Sequence, residues 1–153
     1  MANPLRVMII EARFYTHISD ELAKGVITEL ESQGVAYDRY EVPGAFEIPG
    51  AIRAAIEART HGGVVQRYDG FIALGCVIRG ETTHYETICA ESARGLMDLS
   101  INHGAALANG ILTVETEEQA LDRALVSRKN KGRDFAQACL AMIRLRRKFG
   151  LDK

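Results

Sequence analysis

The sequence predicts an α/β fold, a three-layer sandwich in which a four-stranded parallel sheet is flanked by helices on both faces. Three observations carry that prediction. Short continuous apolar runs, "LRVMIIE" and "FIALGCVI", have the pattern of strands covered on both sides. Longer segments between them place apolar residues at helical spacing. The two kinds of segment alternate in the order βαβαβαβα(α), which calls for a parallel sheet with crossover helices.

Taken in order, Leu5 to Glu11 is the first strand. "SDELAKGVITELESQG" follows, with Ser19 as a helix cap, acids in the first turn, Leu22, Val26 and Leu30 four apart, and Gly34 as the stop. Val35 to Val42 alternates like a strand and ends at Pro43-Gly44. Ile48 to Arg59 reads as a helix that stops before Gly62-Gly63. Phe71 to Ile78 is the most apolar strand, and a helix from about Tyr85 to Asn102 follows it. Asn109 to Glu115 is the fourth strand, and "TEEQALDRAL" opens the next helix with a Thr cap and acids. The last helix, Lys131 to Phe149, carries Phe135, Ala138, Cys139, Met142 and Leu145 at helical spacing.

The 153 residues make one domain, 1–153, with no internal repeat, low-complexity tract or linker. Hydrophobic residues at 47% and charged residues at 25% are ordinary for a soluble globular protein. A formal charge of -1 argues against nucleic acid, whose binders carry a basic excess. No apolar stretch approaches a membrane span, and "MANPLRVMII" reads as a first strand, not a signal peptide. Cys76, Cys89 and Cys139, odd in number and lacking a CxxC, suit free thiols in a reducing, cytoplasmic setting.

Right-handed crossovers put the carboxyl ends of all four strands on one edge, where ligands bind in such folds. "EARFY", "VPGAFE", "IRGETTH" and "TVETE" meet there. Gly80 to Thr83 precedes a helix, so its backbone N–H groups and two hydroxyls suit an anion; Thr82 or Thr83 acting only as a helix cap is the alternative. His84 follows at once and can pass protons near neutrality, whereas His17, His61 and His103 lack comparable company and read as surface residues. "HYE" fits half of a zinc deaminase signature, but the P-C-x-x-C half is absent, so no metal is expected. Phe14 and Phe46 can stack on a flat ring and Glu47 can accept hydrogen bonds from hydroxyls, although each alone also reads as core or as a solvated acid. Arg123, Arg128, Lys129, Lys131 and Arg133 form a cation-rich run, which is either a solvated face or a phosphate partner. These residues together describe a site for a flat polar ring plus an anion.

The segments "VPGAFEIP", "LGCVIRGETTHYE", "NGILTVETEEQALDRA" and "NKG" resemble the 6,7-dimethyl-8-ribityllumazine synthase family, in order and through nearly the whole chain. The resemblance implies a flavodoxin-like fold, a cytoplasmic enzyme of riboflavin biosynthesis, and a transferase needing no cofactor. Such enzymes condense 5-amino-6-(D-ribitylamino)uracil with 3,4-dihydroxy-2-butanone 4-phosphate to the lumazine, phosphate and water, and their product is the substrate of riboflavin synthase. The resemblance assigns proton transfer to His84. It assigns the pyrimidine substrate to Phe14, Ala45, Phe46, Glu47, Cys76, Val77, Ile78 and Asn109, and the butanone phosphate to Glu81, Thr82, Arg123 and Lys131.

It also implies a homopentamer with each site between adjacent subunits, Asn109 coming from the neighbour. Asn109 stands where many relatives have Phe, and Tyr15 where they often have Asn. Shell-forming members carry a glycine-rich turn before "NKG"; here "RALVSRKNKG" has Leu125 and Val126 and no glycine before Gly132, which favours a free pentamer over a 60-mer shell. An archaeal-type riboflavin synthase is a rival enzyme, disfavoured by "GETTH" and Arg123. A non-catalytic flavin- or lumazine-binding paralogue, or an assembly protein, is the rival of another class.

Overall fold

The computed structural model describes residues 4–60 and 67–152. The proposed Gly62-Gly63 stop and His61 lie outside the described residues. Four strands, β1 (Arg6–Ala12), β2 (Ala36–Val42), β3 (Gly70–Ile78) and β4 (Leu107–Val114), form one parallel sheet in the order β2-β1-β3-β4. Among the described residues five helices connect and follow them: α1 (Thr16–Ser32), α2 (Ile48–Thr60), α3 (His84–Asn102), α4 (Glu117–Ala124) and α5 (Lys131–Lys148). A single 3-10 turn at Ala45–Glu47 precedes α2.

Alternation along each strand sorts the core into two layers. Val7, Ile9, Ile72, Leu74, Leu112 and Val114 pack against α1, α4 and α5. Met8, Ile10, Phe71, Ala73 and Ile111 face α2 and α3. This is the three-layer sandwich expected. Ile9, Ile10 and Ile72 are wholly buried, and each contributes about 1.5–3 kcal/mol by leaving water. The strand order reverses direction between β1 and β3, so the first crossover goes one way from β1 and the second the other. The two connections diverge there and leave a crevice beyond the strand ends.

Three local expectations need correction. Ser19 does not cap α1. The buried stripe Ile18, Leu22, Val26, Leu30 extends one turn earlier than expected, the cap position is Tyr15, and Ser19 is enclosed within the helix. In α5 the core-facing residues are Ala136, Cys139, Leu140 and Ile143; Ala138, Met142 and Leu145 lie exposed, because the buried face is rotated from the stripe chosen. Asn109 lies inside β4 and does not begin it, since pairing with β3 starts at Phe71 opposite Leu107.

Candidate active site

The crevice holds a cavity of about 630 Å³, within the range that takes a small heterocyclic ligand. Four segments wall it. Ala12, Phe14 and Tyr15 come from the end of β1. Pro43, Gly44, Ala45, Phe46 and Glu47 come from the turn after β2. Cys76, Val77 and Ile78 end β3, and His84, Thr87 and Ile88 belong to the first turns of α3. The structure therefore brings together Phe14, Ala45, Phe46, Glu47, Cys76, Val77, Ile78 and His84, all proposed from sequence.

The walls differ in character. Phe14 is 79% exposed and touches Tyr15 edge-on at 4.9 Å, so its ring lies on the cavity and outside the core. Phe46 is also exposed, while Ala45 is buried beneath it. The Cys76 thiol is pushed up to about 11, by burial first and by the Glu117 charge second, so the strand end presents a neutral thiol. Tyr15 is likewise raised, mostly by burial.

The turn between β3 and α3 is exposed from Arg79 to His84. Thr82 Oγ1 accepts a 3.3 Å hydrogen bond from the His84 backbone N–H, and Thr83, at the cap position of α3, makes no side-chain cap bond. Glu81 and Thr82 project beside His84 without lining the cavity. Arg79 pins this turn in place. Its backbone N–H donates to the Val114 carbonyl at 3.0 Å, its Nε donates to Glu115 at 2.7 Å, it pairs with Glu86, and its guanidinium lies 4.4 Å over the Tyr85 ring. These carboxylates, Glu86 foremost, hold the guanidinium firmly protonated.

Arg123 and Lys131 do not reach this cavity. They line a separate one of about 250 Å³ with Asn109, Thr113 and Phe135. Arg123 Nη1 donates to the Gln119 carbonyl one turn back, at 3.0 Å. Lys131 lies 3.5 Å from Asp134. Asn109 Oδ1 accepts from the Ile111 N–H at 3.1 Å. Arg123, Lys131 and Asn109 therefore lie on a cavity apart from the one that His84 lines, and Glu81 and Thr82 line neither of the two.

Sequence reasoning missed Ala12, Pro43, Gly44, Thr87 and Ile88. Thr87 had a usable signal, because it lies one helical turn after His84. Pro43 and Gly44 fall within "VPGAFE", placed at the ligand edge, but as single residues they carried only a strand-stop role. His17 and His103 are surface residues as expected, yet each has an acidic neighbour: His17 Nε2 lies 2.7 Å from Glu117, and His103 lies 3.8 Å from Asp98. Among the described residues, no helix is long and apolar enough to cross a membrane.

Comparison with known proteins gives one consistent result. The family model described as 6,7-dimethyl-8-ribityllumazine synthase matches residues 4–147. A protein of that name from Afipia carboxidovorans is 55% identical over 94% of this chain and 86% of its own length. One from Paramagnetospirillum magneticum is 49% identical over 96% and 98%. 6,7-Dimethyl-8-ribityllumazine synthase 1 of Rhizobium meliloti is 47% identical over 99% and 97%.

Proposed function

The chain belongs to the 6,7-dimethyl-8-ribityllumazine synthase family, and from that membership we propose how its residues divide the reaction. It condenses 5-amino-6-(D-ribitylamino)uracil with 3,4-dihydroxy-2-butanone 4-phosphate, in the penultimate step of riboflavin biosynthesis. The amine adds to the ketone and water leaves to give an imine; phosphate is then eliminated, and the ribitylamino nitrogen closes the ring on the remaining carbonyl with loss of a second water. Holding two small reactants in one orientation supplies much of the acceleration.

The pyrimidine occupies the larger cavity. Phe14 stacks on its face, the backbone of Cys76, Val77 and Ile78 pairs with its polar edge, and Ala45 and Phe46 close the other side. Glu47 accepts hydrogen bonds from ribityl hydroxyls. His84, on the same cavity wall, moves protons between the attacking amine and the leaving groups. The N–H groups of the Glu81-Thr82 turn and the Thr82 hydroxyl receive the phosphate. The observation that carries this reading is that eight residues selected for ring binding and proton transfer line one cavity beyond the β1 and β3 ends.

The phosphate needs cations, and Arg123 and Lys131 sit in the other cavity with Asn109. That separation supports a site shared between copies, in which one chain supplies the ring cavity and its neighbour supplies the two cations and Asn109. The exposed Phe14 and Phe46 rings fit the same picture, since a neighbour would cover them. A closed homopentamer in the cytoplasm, passing its product to riboflavin synthase, follows as the assembly. Purified protein mixed with both substrates should form lumazine, read by its absorbance, well above the uncatalysed rate; folded protein that gives no acceleration overturns the reading.

A further inference from the structure

Phe14, the more exposed of the two phenylalanines on the larger cavity, is held by almost nothing of its own. It is 79% exposed, and among the described residues its one aromatic contact is with the adjacent Tyr15. Within its own chain its direction therefore comes from the backbone that carries it. The ordinary lock for such a turn is a side-chain cap on the following helix. That lock is missing, because the cap residue of α1 is Tyr15 and it makes no side-chain cap bond.

A chain of charges runs just beneath instead. Glu11, at the end of β1, is 3% exposed. On the edge strand β2, Arg39 grips it with two hydrogen bonds, Nε to Oε2 at 2.7 Å and Nη2 to Oε1 at 2.9 Å. Arg13 Nη1 donates to the same Oε1 at 2.8 Å, and Arg13 Nη2 reaches on to Asp20 in the second turn of α1. The guanidinium of Arg13 thus links β1 to α1 across the turn whose next residue is Phe14. A carboxylate as enclosed as Glu11 is costly unless its hydrogen bonds are satisfied, and here three N–H groups meet it. An apolar residue would continue the strand's core run without that requirement.

We propose that Arg13, anchored by Glu11 and Asp20, is a positioning residue that fixes the Phe14 ring for the pyrimidine substrate. Arg13 touches no substrate and acts only through Phe14. The inference rests on the stacking role given to Phe14 above.

A double-mutant cycle separates this role from a merely structural one. Arg13→Ala, Phe14→Ala and the double variant are assayed against each substrate in turn. Arg13→Ala should raise KM for the ribitylaminouracil roughly ten-fold, through lost pre-organisation, and leave KM for the butanone phosphate within about two-fold. In the Phe14→Ala background the same change should have almost no further effect. Arg13→Lys, which keeps the charge and loses the fork, should fall between. If Arg13→Ala does not fold, Asp20→Asn on the exposed end of the tether enters the cycle in its place. Equal effects of the tether variant in both backgrounds, or equal shifts for both substrates, overturn the proposal. Phe14→Ala with an unaltered pyrimidine KM overturns the stacking reading itself, and the tether with it.

Discussion

Gly132 of α5 lies against Gly25 of α1 so closely that a Cβ on Gly132 would sit 3.2 Å from the Gly25 Cα and 2.4 Å from the Leu22 carbonyl oxygen. The first contact is tight and the second is shorter than real structures allow, with backbone on both sides. This pair lets the cation-rich "NKG" turn dock on the first helix and places Lys131 beside the smaller cavity. Gly132→Ala should destabilise the protein by about 1–3 kcal/mol through overpacking. A lower urea midpoint at unchanged slope checks it; an unmoved midpoint contradicts it.

His84 stands on the wall of the ring cavity at the first residue of α3. His84→Ala should slow turnover by ~10²-fold, the low end for general acid–base catalysis, because imine chemistry proceeds partly unaided. Both KM values should stay near those of the parent. An unchanged rate at saturation removes His84 from the mechanism.

Burial pushes the Cys76 thiol up to about 11 and the Cys139 thiol up to about 12, from an ordinary 9.0. The folded protein therefore keeps protons that the unfolded chain releases first. Their contribution is fully present below pH 9 and is lost as pH rises through the folded values. Tyr68, raised chiefly by burial and then by its bonds to Tyr40 and Asp38, acts in the same direction. Melting temperature should fall between about pH 9 and about pH 11, and less steeply in Cys139→Ala. Parallel curves for the two proteins would contradict this.

The turn between α4 and α5 is braced without glycine. The Val126 N–H donates to Glu21 of α1 at 3.1 Å, Arg128 pairs with Glu118 at 2.7 Å, and Asn130 takes the left-handed conformation at φ 46°. The left-handed bend thus forms at Asn130 without a glycine, so the free pentamer stands as a proposal from the resemblance and not from the missing glycine. Sedimentation should give one species of pentameric mass, and a shell-sized species would contradict it.

The sheet was legible because its strands are buried on both faces, and burial writes itself as uninterrupted runs such as "FIALGCVI". The ring cavity was legible for a related reason: strand ends in a parallel sheet must converge, so residues after each run could be grouped before any contact was known. Helix starts were harder. Ser19 has cap chemistry, but the burial of Ile18 and Ser19 decided the boundary, and a short polar residue looks the same inside a helix as at its end. The placement of Arg123 on a cavity apart from the one His84 lines was not legible at all. Both follow strand ends, yet β4 is the outer strand and its following helix packs on the α1 and α5 side of the sheet. Likewise nothing in "IEARF" shows that Glu11 and Arg13 meet, since their partners Arg39 and Asp20 come from other elements.

The central claim is that each site takes His84 from one copy and Arg123 from the next. Its most direct test mixes two impaired proteins, His84→Ala and Arg123→Ala, unfolded together and reassembled. In a closed ring with random assortment, roughly one site in four then holds both intact groups. The account predicts lumazine formation by the mixture well above the sum of the two proteins alone. A mixture no more active than that sum, from assemblies shown to contain both chains, would contradict it.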